Sequence, residues 1–421
     1  MYLPFPVTDS SPASPGLFAH RGYVLYLGTR ALSTAGMQVL SVAVGWYVYD
    51  LTRDPFALGY VGLAQFLPMF LFVLPAGDLA DRVDRRLILM GSYLVQAASA
   101  GILLWLAFEE VHEVEAFYAA LALFGFGRAF TGPASQSLIP LLVPTAKLSQ
   151  AIALSSSVFQ VMVIGGPAAG GAIYLLGPAA AFGACFVLFL IVAFGLVFVR
   201  TIRSQAPQTS RLGALARVME GIAFVRSRPV VLGAISLDLF AVLLGGATAL
   251  LPIYARDILE VGPEGLGILR SAPGVGAAVI GLILSRYALA RHAGRAMFAC
   301  VALFGLATVV FGLSENFWLS LGALAVLGAS DQVSVYVRLT LVQLATPDQM
   351  RGRVSSVNML FINASNELGE FESGITAGWW GAVPAVIVGG LGTLGVVGLW
   401  MWLFPQLTRV DRLADVAPDK A

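Results

Sequence analysis

Charge is scarce in this chain: only 12% of its 421 residues are Asp, Glu, Lys or Arg, about half the share found in a soluble domain. With 58% hydrophobic residues, a soluble fold could not cover its own surface with polar groups, so a bilayer is its natural solvent. Cysteine and histidine are also rare, at two and three residues. Cys185 and Cys300 lie far apart within apolar stretches and read as small buried hydrophobes, not as a disulfide or metal pair. No C-x-x-C, H-E-x-x-H or P-loop spacing occurs. An enzyme, a cofactor and a bound metal are therefore not expected. A basic excess is missing as well. The net charge of +1 argues against a nucleic-acid partner. Residues 1–22 are rich in Ser and Pro without an apolar core, and read as a cytoplasmic tail, not a cleaved signal peptide.

Long apolar runs, in contrast, are abundant. A spanning helix needs roughly 20 mostly apolar residues. Twelve such runs fall at about 23–49, 57–80, 87–108, 116–143, 150–175, 179–199, 230–253, 264–285, 296–313, 317–345, 354–379 and 383–404. Short turns with Pro, Gly or Asp separate most of them. The exception, 200–229, is polar and Arg-rich, and divides the chain into six-helix halves at 23–199 and 230–404. Within this linker, Leu212 to Val225 reads as an amphipathic helix lying along the membrane surface. Residues 405–421 form a second tail. With both termini in the cytoplasm, inner segments hold 19 of the 25 Lys and Arg residues and outer loops hold two, Arg53 and Arg256. That bias sets the orientation.

The halves are related. At an offset of 208, Leu58-Gly59 falls on Leu266-Gly267; at 203, Pro144 falls on Pro347 and Gly166 to Gly171 on Gly369 to Gly374. Six spans separate the copies, so both run in the same direction, as in duplicated secondary transporters.

Residues 77–86 read Gly-Asp-Leu-Ala-Asp-Arg-Val-Asp-Arg-Arg in the loop after the second span. This resembles the G-x-x-x-D-R-x-G-R-R signature of the major facilitator superfamily, with Gly77, Asp81, Arg82, Arg85 and Arg86 on the motif. Asp84 departs from it, since the family favours Gly there, and this puts the turn geometry in question. The corresponding loop of the second half, Ser285 to Arg295, has Leu289 where Asp81 would map. In the fifth span, Gly166, Pro167, Gly170 and Gly171 are similar to the antiporter motif of that superfamily. Small residues allow close helix packing and Pro167 loosens the helix; a plain packing kink is the alternative. Two further stretches, Gly221-Ile222-Ala223-Phe224 with Arg228-Pro229 and Thr340 to Val354, are similar to the branch of siderophore and drug exporters. The resemblance covers nearly the whole chain. It implies an all-α integral membrane protein with the major facilitator fold, twelve helices surrounding a central cavity. It further implies a monomer in the plasma (inner) membrane that exchanges protons for a small organic molecule.

Nine charges lie inside the spans: Arg30, Arg128, Asp238, Arg270, Asp331, Arg338, Glu367, Glu370 and Glu372. Intramembrane charge is costly and usually faces a cavity or a partner. Arg30, Arg128, Asp238 and Asp331 fall on spans that line the cavity of the resembled fold. The repeat offsets lay Arg30 on Asp238 and Arg128 on Asp331, so each such position is basic in the first half and acidic in the second. A dipolar cargo site is one reading, and ion pairs that lock the halves together are the other. Gln38, Gln332 and Tyr336, with Trp46 and Phe240, would shape the same site. Arg270 and Arg338 read as structural partners. Glu367 and Glu370, three apart, share a helix face, and Glu370 is placed to pair with Arg270. If every arginine is paired, one of the five carboxyls is left over. Asp238, Asp331, Glu367 and Glu370 are the proton-carrying candidates. The expected function is proton-coupled export of a siderophore or amphipathic drug. An importer on the same fold and a non-transporting membrane receptor are the alternatives.

Overall fold

The structure, a computed structural model, describes residues 16–202, 214–287, 289, 291–347, 349–413 and 416. The side chains of Asp81, Ala214, Leu215 and Arg217 also lie outside the described set. The described chain folds into long helices: α1 (Arg21–Thr52), α2 (Pro55–Arg82), α3 (Arg85–Phe108), α4 (Val114–Leu142), α5 (Leu148–Tyr174), α6 (Pro178–Gly195), α7 (Ala214–Ser227), α8 (Pro229–Leu244), α9 (Gly262–Arg286), α10 (Ala293–Leu313), α11 (Phe317–Leu344), α12 (Arg351–Trp380) and α13 (Ala382–Leu403). Among the described residues, ten helical segments are long and apolar enough to cross a membrane. α4 and α12 fall outside these ten, but at 29 and 30 residues they are long enough to span, and both pack among the others. α7 falls on the expected amphipathic segment of the linker, though Leu212 lies outside the described residues. So do most of the N-terminal tail and seven residues of the C-terminal one.

α8 does not run straight through. It stops at Gly245, resumes as a 3-10 turn over Ala247–Leu250, and ends in a π turn over Tyr254–Ile258. Gly246 sits so close to α12 that a Cβ there would lie 2.7 Å from the Gly369 carbonyl oxygen. The break thus lies against the segment that the repeat equates with the Gly-Pro motif of α5.

Contacts extend the sequence repeat. Gly59 of α2 lies against the backbone of Phe371 and Gly374 in α12, and its counterpart Gly267 in α9 lies against the backbone of Pro167 and Ala168 in α5. Within the halves, Gly125 of α4 abuts the Gln65 carbonyl and Gly328 of α11 abuts the Pro273 carbonyl. Gly59 and Gly267, and Gln65 and Pro273, are related by the offset of 208; Ala168 and Phe371, and Gly125 and Gly328, by that of 203. A side chain would hold these backbones apart, which is why small residues recur at such crossings.

The end of the bundle at which α1 begins and α13 finishes is the near end, the other the far end. The largest apolar core runs through the first half and continues at the far end into Leu250, Leu251, Tyr254 and Leu266 of the second. Toward the near end the second half has separate clusters, one around Leu237, Val337 and Trp400 and another around Val231 and Val357. Apolar contact between the halves is therefore concentrated at the far end.

At the near end, Asp84 accounts for its departure from the signature. Its backbone angles are φ −57° and ψ 118°, with no left-handed turn that would call for glycine, and its carboxylate accepts a hydrogen bond from the Arg86 amide. It caps α3, and the Arg86 guanidinium 2.6 Å away holds its carboxyl below the ordinary value. A depressed carboxyl contributes above its unfolded value of about 3.9, and the contribution fades as pH falls through the lower folded value. The cap is thus intact at neutral pH. Asp84→Ala should speed amide exchange at Arg86 by about fivefold, the equivalent of a lost cap of about 1 kcal/mol. The difference should begin to fade below about pH 4, the carboxyl's unfolded value, and vanish only below its lower folded value. Hydrogen exchange read by mass spectrometry checks both.

Candidate functional site

Two cavities meet inside the bundle. One, of about 180 Å³, lies toward the far end, between α1, α2, α4, the α8 extension, α9 and α12. The other, of about 620 Å³, lies toward the near end, between α2, α4, α7 and α12. Arg128 of α4 lines both. Its Nη1 pairs with Glu367 Oε1 of α12 at 3.0 Å, and the two side chains are 25% and 12% exposed. This ion pair joins the two halves and forms part of the partition between the cavities.

One helical turn beyond, Glu370 Oε1 lies 4.0 Å from Arg270 Nη2 of α9, the pairing expected from the spacing. Both line the smaller cavity with Gln38 and Gln65. Room for Glu370 is made by Gly62, where a Cβ would lie 3.1 Å from the glutamate Cβ. In repeat register Gly62 corresponds to Arg270, and Pro167 to Glu370. The cationic and acidic substitutions are thus both confined to the second half, and they meet along the seams.

The other sequence-predicted residues are placed differently. Asp238 is buried and paired with Arg338 of α11, whose side chain is 3% exposed; both belong to the second half, and neither lines the two cavities described. For Asp238 the geometry is that of a static ion pair. Arg30 reaches Ser135 of α4 at 3.2 Å and stacks over the Phe159 ring of α5 at 5.3 Å. Its Nε is buried without a hydrogen-bond partner. The expected ledger of fully paired arginines therefore needs correction. Among the described residues, Arg30 has no carboxylate within ion-pair distance, and Asp331 and Glu372 have no cation. Gln332 and Tyr336 are partly buried, Tyr336 packing against the second half's own core.

The Gly-Pro segment of α5 lies at a junction. A Cβ on Gly166 would lie 2.7 Å from Gln38 Cβ in α1, and one on Gly170 2.9 Å from Val39 Cα. Gly171 faces Pro263 of α9 across the halves. Gly77 lines the larger cavity and Arg85 is buried. Arg86 bonds the Val199 carbonyl at 2.9 Å.

The far end carries a cluster of interactions that the sequence did not point to. Arg53 pairs with Asp257 at 3.1 Å and with Asp50 at 3.8 Å, Arg256 pairs with Asp50, and the Tyr49 hydroxyl donates to Asp257. Arg256 also stacks over Trp46 at 5.3 Å. Four charges and two aromatics thus fasten the end of α1 to the π turn after α8. A usable signal existed: Arg53 and Arg256 are the two basic residues of the outer loops, and each has an aspartate close by in sequence. Asp257→Asn removes the anion from both Arg53 and Tyr49 and should loosen this clasp. In a background without Cys185 and Cys300, a cysteine at Leu58, which is 5% exposed and lines the smaller cavity, should then react several-fold faster with an impermeant thiol reagent applied at the far end.

Residues 12–420 match the transmembrane secretion effector family. The chain belongs to that family of the major facilitator superfamily. Relatives include macrolide efflux protein A of Streptococcus pyogenes, 25% identical over 84% of this chain and 89% of that protein. Others are the multidrug efflux pump Tap of Mycolicibacterium fortuitum, 28% identical over 93% and 98%, and the enterobactin exporter EntS of Citrobacter koseri, 25% identical over 96% and 97%. Among solved structures, a bacterial homologue of the lysosomal transporter Spinster in an inward-facing conformation aligns with TM-score 0.71 at 12% identity, covering 94% of this chain and 97% of that one. A bacterial homologue of ferroportin, also inward-facing, aligns at 0.69 and 16% identity, covering 92% and 99%. This major facilitator chain is accordingly a multi-pass membrane transporter and not an enzyme, as its sequence implied, and small molecules are its substrates.

Proposed function

We propose that the protein exports a small organic molecule from the cytoplasm in exchange for protons, as a monomer that alternates access about the Arg128–Glu367 pair. On this reading all of the helices α1–α13 except the linker helix α7 span the inner membrane and both termini are cytoplasmic. The 620 Å³ chamber then faces the cytoplasm, and the clasp of Asp50, Arg53, Arg256 and Asp257 closes the outer side. The observation that carries the proposal is the position of Arg128, which lines both cavities while paired with Glu367. A group approaching from the cytoplasm meets the arginine. A proton arriving from outside, once the clasp opens, meets Glu367 and Glu370 through the smaller cavity. The charged and titratable neighbours of Glu367 are Arg128 on α4, Arg270 on α9 and Glu370 on its own helix. Protonation of Glu367 would free Arg128, and recapture of the arginine would expel the proton. Relatives named for macrolide, multidrug and enterobactin efflux support export as the direction. The test is cargo flux in proteoliposomes with an imposed pH gradient. Flux should follow the gradient, and flux indifferent to it would defeat the coupling.

A further inference from the structure

We infer that the cargo carries an acidic group, and that the near-end chamber selects amphiphilic anions over amphiphilic cations of the same size. This inference rests on the transport reading above. The chamber's volume, about 620 Å³, lies in the range of drug-sized ligand sites. One wall is a stripe of α2, with Phe66, Met69, Phe70 and Val73 at helical spacing, faced by Met359 and Leu360 of α12. Aromatic and methionine side chains make an adaptable apolar surface, suited to a body of loosely defined shape.

The polar side of the chamber has one sign. Gln136, Ser137, Ser355, Ser356 and Asn363 are neutral, and the charged groups are Arg128 and Arg353. No carboxylate is present among the described lining residues. Arg353, toward the near end, is paired with Glu220 of α7 at 2.6 Å. Arg128, at the inner end, has one carboxylate, Glu367, on its far-end side, and a guanidinium offers five donors in a planar fork. A cargo carboxylate, phenolate or sulfonate that reached Arg128 could take a bidentate, charge-assisted hold. An ammonium in the same place would meet an arginine with no described carboxylate on its own side of the chamber, and would lose its hydration without compensation.

The probes are dansyl-octanoate, its methyl ester and dansyl-octylamine, titrated onto the protein in nanodiscs, with empty nanodiscs as the blank. The carboxylate should bind at least about tenfold more tightly than the amine, the margin of one charge-assisted contact of about 1.4 kcal/mol. Arg128→Gln should remove that preference and leave the ester unchanged, while Arg128→Lys keeps part of it. If Arg128→Gln does not fold, the double variant Arg128→Gln/Glu367→Gln is read in the same way. An amine that binds as well as the carboxylate, or a preference that survives the loss of Arg128, overturns the inference. Binding is read without flux, so the two claims separate. Anion-selective binding without transport leaves the chamber's selectivity standing and defeats export, whereas gradient-driven export of the amine alone does the reverse.

Discussion

Glu367→Gln should reduce gradient-driven transport to the level of vesicles without a gradient. The glutamate is the acidic half of the pair that links the halves at the meeting of the two cavities. Glutamine keeps its size and an acceptor oxygen but cannot carry a proton. Downhill flux should persist, because the chamber and the clasp are untouched. The substitution also deprives Arg128 of its anion. Breaking a fully buried pair costs about 3–5 kcal/mol, and this one, partly open to both cavities, should cost less. Arg128→Gln/Glu367→Gln separates the effects: it should recover any lost folding and remain uncoupled. Flux of labelled cargo with and without a pH gradient, beside size-exclusion profiles, measures both. If Glu367→Gln still follows the gradient, the proton is carried elsewhere, with Glu370 and Asp331 next to be examined.

The second large effect should fall on stability. Asp238 and Arg338 form a buried pair within the second half, with side chains 9% and 3% exposed. Asp238→Ala leaves an arginine without its anion in an apolar cluster, at a cost of about 3–5 kcal/mol. Folded protein should largely disappear from membranes at ordinary growth temperature. Asp238→Leu/Arg338→Met should restore it, because replacing a buried pair by apolar groups of similar volume is often neutral or better. The restored variant should transport. If it folds and fails to transport while keeping the gated cavities, Asp238 or Arg338 takes part in the cycle itself. Fluorescence-detected size exclusion followed by the flux assay distinguishes these outcomes.

Helix positions were legible in the sequence because hydropathy over twenty residues is a strong signal in a bilayer protein, and the observed helices lie close to the twelve expected runs. The repeat was legible too, since glycines at backbone crossings tolerate no side chain. Gly59 and Gly267 meet their partners in equivalent ways. Partner choice among the charges was less accessible. Glu370 could be matched to Arg270 because both lie at a similar depth in the outer half of their spans. Asp238 shares a repeat register with Arg30, but register equates positions in different halves and does not bring them into contact. Its partner is Arg338, on a helix of its own half. Arg128 and Glu367 were each singled out, but their pairing depends on how α4 and α12 are rotated toward the seam, which composition does not reveal. The far-end clasp went unseen because its charges sit at helix ends, where a solvated loop is the default expectation.

The most direct test of proton exchange is the pH inside proteoliposomes, followed with a trapped indicator while cargo alone is supplied as a gradient. Cargo movement one way should drive protons the other way in the wild type, and the pH change should be absent in Glu367→Gln at equal cargo flux. Cargo movement in the wild type with no change in internal pH would contradict the account.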